Sequence, residues 1–204
     1  MKVVIVDYGM GNIKSVAGAL QFIGINNITI SASYEELKSA DKLILPGVGS
    51  FGNAMNNIKE KKLDVYMHEL VIEQKKSILG ICLGMQLMGT SSTEEEYNLG
   101  LGYVNAEVRK FDSGLGIKIP HVGFNQIRVN TNTKLYKGLG DNLDFYFTHS
   151  FRMMSNEDIA QSICNYGSDF IASFEIGNIA GVQFHPELSQ HHGLNLLRNF
   201  LNKF

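Results

Sequence analysis

Ser77-Ile78-Leu79-Gly80-Ile81-Cys82-Leu83-Gly84-Met85-Gln86-Leu87 joins an apolar run to a helix-like run through a cysteine that has glycine two places to either side. Small residues at those two positions around a potential nucleophile form the nucleophile-elbow pattern, here with Cys where Ser is usual. An elbow is a strained strand-to-helix turn, and Gly80 and Gly84 remove side chains that would clash in it. The thiol is then lifted above the sheet edge. The following helix is expected to point its N-terminus at the sulfur, which favours thiolate over thiol.

The elbow demands a strand before it, and the chain upstream supplies more of the same alternation. Val3-Val4-Ile5-Val6 is a continuous apolar run, as expected for a strand covered on both faces. Asn12 to Phe22 carries Ile13, Val16, Ala17 and Leu20 at helical spacing. A second strand is expected at Asn27 to Ile30, a short helix at Tyr34 to Leu37, and a third strand at Leu43 to Leu45, ended by Pro46-Gly47-Val48-Gly49. Helices over Phe51 to Lys59 and Leu63 to Gln74 lead to the strand Ser77 to Ile81. This is an α/β layout with a mostly parallel central sheet flanked by helices.

Downstream the character changes. Short strand-like runs at Tyr103 to Val108, Gln126 to Val129, Phe145 to Phe147, Ile171 to Phe174 and Ile179 to Gln183 are separated by turn formers such as Asp112-Ser113-Gly114 and Gly138-Leu139-Gly140-Asp141. They predict a largely antiparallel extension. Gly193 to Phe204 closes the chain as a helix with Leu194, Leu197, Phe200 and Leu201 on one face. Without a linker, repeat or low-complexity tract, residues 1–204 are expected to form a single domain.

Composition narrows the function classes. Hydrophobic content of 44%, charged content of 19% and a formal charge of -2 fit a globular protein and give no reason to expect nucleic acid or an anionic membrane. No apolar run is long enough to span a bilayer, and the first residues enter a strand without a signal-peptide layout, so a cytoplasmic location is expected. Two cysteines, Cys82 and Cys164, make neither a disulfide framework nor a four-ligand zinc site, and no metal is expected. Cys164, inside Ile163-Cys164-Asn165 of an expected strand, reads as buried filler.

A nucleophilic thiol needs a base. Among six histidines, His68 falls mid-helix among charges, and His191 and His192 fall near the start of the last helix; all three read as solvated. His185-Pro186-Glu187 differs, because in an extended segment residues i and i+2 point to one side. His185 and Glu187 can then both face the elbow, the carboxylate holding one imidazole nitrogen while the other faces the thiol. An isolated His-Pro-Glu is most simply a satisfied strand-end histidine; the elbow cysteine reverses that preference. For the oxyanion of acyl transfer, the Leu83 amide is one expected donor and Pro46-Gly47-Val48-Gly49 a source of a second. Asp7-Tyr8-Gly9-Met10-Gly11-Asn12 invites comparison with a dinucleotide fingerprint, but Lys14 occupies the place of the third glycine, so nucleotide binding is rejected. A sharp turn or a partner-binding loop remains.

Together these motifs resemble the class I, triad-type glutamine amidotransferases, and among them the glutaminase subunits of imidazole glycerol phosphate synthases. The similar segments are DYGMGN (7–12), LPGVGSFG (45–52), LGICLGMQL (79–87), IPHVGFNQI (119–127), FYFTHSF (145–151) and GVQFHPELS (181–189), in family order from end to end. The resemblance implies a flavodoxin-like fold and a catalytic triad of Cys82, His185 and Glu187. Val48, Gly49 and Leu83 would form the oxyanion hole. Gly47, Gln86, Glu94 and the Ser150-Phe151 backbone would hold L-glutamine. It further implies no cofactor, and a (β/α)8-barrel synthase or cyclase subunit as heterodimer partner. That partner would receive ammonia to make imidazole glycerol phosphate and AICAR in histidine biosynthesis. Asn12, Phe124 and Leu188 would lie towards that partner.

Four positions depart from the histidine-pathway pattern: Phe124 stands where Trp is usual, Leu188 where Lys, Cys164 where Thr and Phe151 where Tyr. None is in the triad, but Phe124 and Leu188 fall in segments expected near the partner. A paralogue feeding a sugar amidotransferase for surface-polysaccharide synthesis is therefore the alternative reading. A stand-alone cysteine hydrolase and a non-enzymatic regulatory module are the others; the first fits elbow and triad alone, and the second is disfavoured by the intact triad. The two glycines of the 46–49 loop further suggest that the oxyanion hole is incomplete without the partner, giving low basal activity.

Overall fold

Val3–Val6 (β1) is wholly buried, and its alternating side chains feed two different cores. The computed structural model describes residues 1–140 and 143–204, without the side chain of residue 115. Asp141, at the end of the expected 138–141 turn, lies outside the described residues. After β1 come α1 (Ile13–Phe22), β2 (Ile28–Ser31), α2 (Tyr34–Ser39), β3 (Lys42–Leu45), α3 (Phe51–Glu60), α4 (Leu63–Met67), β4 (Ser77–Ile81) and α5 (Leu83–Leu87). The remainder comprises β5 (Ser91–Ser92), β6 (Asn98–Leu99), β7 (Glu107–Lys110), β8 (His121–Arg128), β9 (Leu143–His149), β10 (Phe151–Met154), β11 (Ser162–Tyr166), β12 (Ser168–Ile176), β13 (Ile179–Val182) and α6 (Gln190–Lys203).

Among the described residues the larger sheet has nine strands in the order β2-β1-β3-β4-β13-β12-β11-β8-β9. The first five are mutually parallel and follow the flavodoxin-like order, and the last four are joined antiparallel. Val4 and Val6 pack with α2, α3, α4 and α5, while Val3 and Ile5 pack with α1 and α6 on the opposite face. A strand apolar on both faces is thus explained by helices on both faces. Each such buried Val, Leu, Ile or Phe contributes about 1.5–3 kcal/mol. The smaller sheet, β10-β7-β5-β6, closes one end.

The parallel half matches the sequence expectations to within two residues at each boundary, apart from the helix expected over Leu63 to Gln74. That helix is α only to Met67 and widens into a π-helix at His68–Glu73, where Gln74 N–H reaches back five residues to the Glu69 carbonyl at 2.9 Å. The antiparallel half departs further. Tyr103 to Ala106 is not strand: the Tyr103 and Val104 amides both bond to the Met88 carbonyl, tying this segment to the end of α5 and leaving only Glu107–Lys110 for the ladder. Conversely β8 begins at His121 rather than Gln126, because it pairs along its length with β9 (His121↔His149 to Ile127↔Leu143). Strand β10 had no signal among the runs read as strands.

Candidate active site

Strand β4 delivers Cys82 into the turn predicted for it. Its backbone sits at φ 54° and ψ −110°, a conformation that L-residues seldom adopt and that costs about 1–3 kcal/mol. Both flanking glycines are obligatory. A Cβ at Gly80 would lie 2.7 Å from the Met85 nitrogen, and one at Gly84 only 1.8 Å from the Leu45 carbonyl oxygen. The Cys82 amide donates to the Val182 carbonyl at 2.8 Å, tying the elbow to β13. Helix α5 has only five residues, so its macrodipole is small and only its first amides can act on the sulfur.

The loop after β3 lies beside the elbow. Tyr8 is fully buried and its hydroxyl donates to the Pro46 carbonyl at 2.9 Å; burial first, and then Cys82, pushes that phenol above its ordinary value. Gly49 sits at φ 100°, and a Cβ there would lie 2.6 Å from the Met10 methyl. The Asp7–Asn12 segment therefore braces this loop rather than a nucleotide. Gly47, in the same loop but absent from the cavity lining, packs where a Cβ would meet the Tyr8 hydroxyl at 2.5 Å, so close packing accounts for a glycine there.

His185 follows β13 at the same end of the sheet. Its Nδ1 and Glu187 Oε1 are 2.8 Å apart, and both side chains are almost wholly buried. The expected extended arrangement is corrected in one respect: Pro186–Leu188 is a 3-10 turn, capped by His185. Proline at its first position fixes the backbone for a turn rather than a strand, and the turn folds Glu187 back under the imidazole. Burial alone would lower the His185 pKa; the neighbouring Cys82 and Glu187 outweigh it and raise it to about 10. His185 Nε2 and Glu187 Oε2 have no hydrogen-bond partner among the described residues. Catalytic contacts that tighten only around substrate commonly look like this.

A cavity of about 370 Å³ gathers most of the sequence-derived site. It is lined by Val48, Gly49, Cys82, Leu83, Gln86 and Glu94 from the first half of the chain and by Pro120, Thr148, His149, Ser150, Phe151 and His185 from the second. Glu94 accepts the Phe51 amide at 2.9 Å, and burial raises its pKa. Gln86 donates to the Phe151 carbonyl at 2.9 Å. Outside the cavity, Asn12 Nδ2 lies 3.5 Å from Glu187 Oε1, while Phe124 (51% exposed) and Leu188 (43%) face solvent. Among the described residues no group of three or more His, Cys, Asp or Glu could hold a metal ion.

Sequence reasoning left His121, His149 and Gln183 without roles. His121 Nδ1 and His149 Nε2 are 3.1 Å apart, and His149 Nδ1 lies 2.8 Å from the Phe151 carbonyl. Burial lowers the pKa of His121 to about 4 and of His149 to about 3, so both are neutral. Gln183 lies between Gln86 and Cys82. Of the histidines read as solvated, His68 and His191 are exposed, whereas His192 is half-buried against Asp144.

The family description "Glutamine amidotransferase class-I" matches residues 4–204. The chain belongs to this family. Within it, the chain is 44% identical over 199 residues to "Imidazole glycerol phosphate synthase subunit HisH 1" of Campylobacter jejuni (strain RM1221), covering 98% of each. It is 42% identical to "Imidazole glycerol phosphate synthase subunit HisH" of Aquifex aeolicus (strain VF5), covering 100% of this chain and 97% of that protein. A solved structure described as "Crystal structure of glutamine amidotransferase" superposes with a TM-score of 0.75 over 97% of this chain and 96% of that one; at 20% identity it speaks for the fold alone. For a class-I glutamine amidotransferase, the elbow cysteine and the remote His-Glu pair are read as one constellation. Among the described residues no helix is long and apolar enough to cross a membrane.

Proposed function

We propose that this chain is the glutaminase subunit of an imidazole glycerol phosphate synthase, hydrolysing L-glutamine and passing ammonia to a (β/α)8-barrel synthase subunit. The observation that carries the chemistry is the His185–Glu187 pair at 2.8 Å, with Cys82 and His185 lining one cavity. The Cys82 thiolate attacks the side-chain amide carbon of glutamine, and the carbonyl oxygen becomes an oxyanion. The amides of Leu83 and of the Val48/Gly49 loop, on the same cavity, are the candidate donors to it. His185, held as a cation by its two anionic neighbours, gives its proton to the departing nitrogen. The C–N bond breaks, and ammonia and a Cys82 thioester remain. Neutral His185 then takes a proton from water, whose oxygen attacks the thioester; glutamate leaves and the thiolate–imidazolium pair returns. Glu187 keeps the imidazole in place through both halves. Gln86, Glu94 and the Ser150-Phe151 backbone are positioned to hold the amino-acid end.

Near-complete mutual coverage with relatives named as synthase subunits supports the histidine pathway. The outward-facing Phe124 and Leu188 supply the reason to keep a second acceptor open, a sugar amidotransferase, since apolar groups stand where ionic and indole contacts are usual. A reducing cytoplasm suits the reactive thiol. Ammonia release from glutamine, by the chain alone and with the cyclase barrel of the same organism, tests the proposal. Strong stimulation is the expected result. Labelling of Cys82 by a glutamine analogue without stimulation would move the assignment to the sugar amidotransferase. Absence of labelling with glutamine, alongside hydrolysis of simple esters, would leave a stand-alone cysteine hydrolase.

A further inference from the structure

The register of the sheet places an unassigned side chain against the nucleophile. β4 and β13 are parallel with Val182 opposite Ile81, so the next residues, Gln183 and Cys82, leave the sheet side by side. Gln183 is 0% exposed, and its Nε2 lies 3.7 Å from Cys82 Sγ. Its Oε1 accepts Gln86 Nε2 at 2.9 Å, and the same Gln86 nitrogen donates to the Phe151 carbonyl at 2.9 Å.

The polarity of this relay is forced from one end. A backbone carbonyl can only accept, so the amide group of Gln86 facing Phe151 must be its nitrogen. Turning Gln86 over would set oxygen against oxygen. Its second N–H then points at Gln183, which must present its oxygen there and its own nitrogen to the sulfur. The same carbonyl fixes His149 as donor through Nδ1, leaving Nε2 to accept from His121 Nδ1. The relay thus sets a donor on the Gln183 side of the sulfur; the other polar contact of Sγ is an acceptor, the Thr148 carbonyl, at a longer 4.0 Å.

We infer that Gln183 is a catalytic residue: an obligate hydrogen-bond donor to Cys82 Sγ that holds the sulfur as the reactive anion and ties its reactivity to the Phe151 strand. A glutamine that only filled space would need no fixed orientation, and an acceptor at the sulfur would favour the thiol. Hydrogen bonds to charged groups are stronger than neutral ones, and losing a donor of this kind changes an ionisation by about tenfold or more. This rests on the reading of Cys82 as nucleophile, but not on glutamine as substrate.

The test is iodoacetamide alkylation of Cys82 in the intact chain without glutamine, followed by peptide mass spectrometry across pH 5–10. Gln183→Met is expected to alkylate about tenfold more slowly at pH 7, with the profile moved to higher pH, while Cys164 labelling is unchanged. Gln183→Leu, which also lacks a donor and adds no charge, carries the same test if the Met variant does not fold. Profiles identical to the wild type in the folded variants, whatever happens to KM for glutamine, would reduce Gln183 to a spacer for Gln86. Wild-type Cys82 reacting no faster than Cys164 would instead overturn the nucleophile reading itself.

Discussion

The two cysteines lie in the two halves of one sheet, and both belong to the same apolar cluster: Cys82 at the carboxyl end of the parallel strands, Cys164 within the antiparallel ladder. Both are free and buried, 6% and 0% exposed. Cys164 continues a regular strand opposite Phe170, its thiol donates only to the Asn165 carbonyl at 3.9 Å, and burial pushes it up to about 12. Cys82 sits in a strained turn, also with a carbonyl, that of Thr148, 4.0 Å from its sulfur, but with a glutamine nitrogen at 3.7 Å as well, and it shares its cavity with His185 and Leu83. Burial therefore does not decide reactivity here. What separates the two is the breakdown of regular pairing at the end of a parallel strand, which lets a side-chain donor, Gln183, reach the sulfur and opens it to the cavity.

The bluntest way to break that comparison is Cys82→Ala. Ammonia release from glutamine should fall by about 10⁴-fold or more, as when a nucleophile is removed from a triad. Thermal stability and binding of the partner synthase subunit should persist. An unfolded variant would make Cys82 structural and erase its difference from Cys164. Gly84→Ala attacks the turn rather than the sulfur. A Cβ 1.8 Å from the Leu45 oxygen forces backbone apart, so a loss of about 4 kcal/mol or more is expected in urea unfolding. A loss below 1 kcal/mol would mean that the elbow relaxes easily and stores no strain.

The halves should also respond to pH in opposite senses. His185 in the folded chain is raised to about 10, so its stabilisation is complete below about 6.5, the unfolded value, and is lost as pH rises towards 10. His149, lowered to about 3, does the reverse: the unfolded chain takes up a proton the folded chain refuses, and stability falls as pH drops below about 6.5. By linkage His149 alone removes about 1.5 kcal/mol between pH 6.5 and 5. His149→Gln should shrink this acid limb in urea titrations by its own share, leaving that of His121, which is lowered to about 4 and acts in the same sense, and Cys82→Ala should shrink the alkaline one. Equal limbs in wild type and variants would show that neither imidazole is perturbed.

How far the sequence could be read follows the same divide. Cys82, Gly80 and Gly84 act on one another within a few residues, so the elbow is written in consecutive letters. His185 and Glu187 were legible for the same reason, although the turn that joins them was not: the i, i+2 spacing reads as an extended segment, whereas Pro186 starts a 3-10 turn. Gln183 was invisible because its meaning depends on standing next to Cys82 across two strands, a register that no local spacing encodes. The His121–His149 pair depends on β8 meeting β9 in one particular alignment. Strand β8 was recognised only from Gln126, since His121, Gly123 and Asn125 break the apolar alternation that would mark it. Parallel strands announce themselves by being apolar throughout; the antiparallel ones, with one face to polar partners, do not.

The smallest effect belongs to Cys164→Ala, and it is the control that gives the others meaning. Removing one buried sulfur in a well-packed strand leaves a void of less than a methylene pair, worth about 1 kcal/mol in unfolding experiments. Glutamine turnover and the alkylation profile of Cys82 should stay at wild-type values, because Cys164 is absent from the cavity that Cys82 and His185 line. In the wild-type chain, Cys164 labelling should remain slow up to pH 9, since burial disfavours the thiolate. Rapid labelling of Cys164 at neutral pH would require the antiparallel ladder to open frequently, and the contrast drawn above would then be one of local stability and not of chemical surroundings.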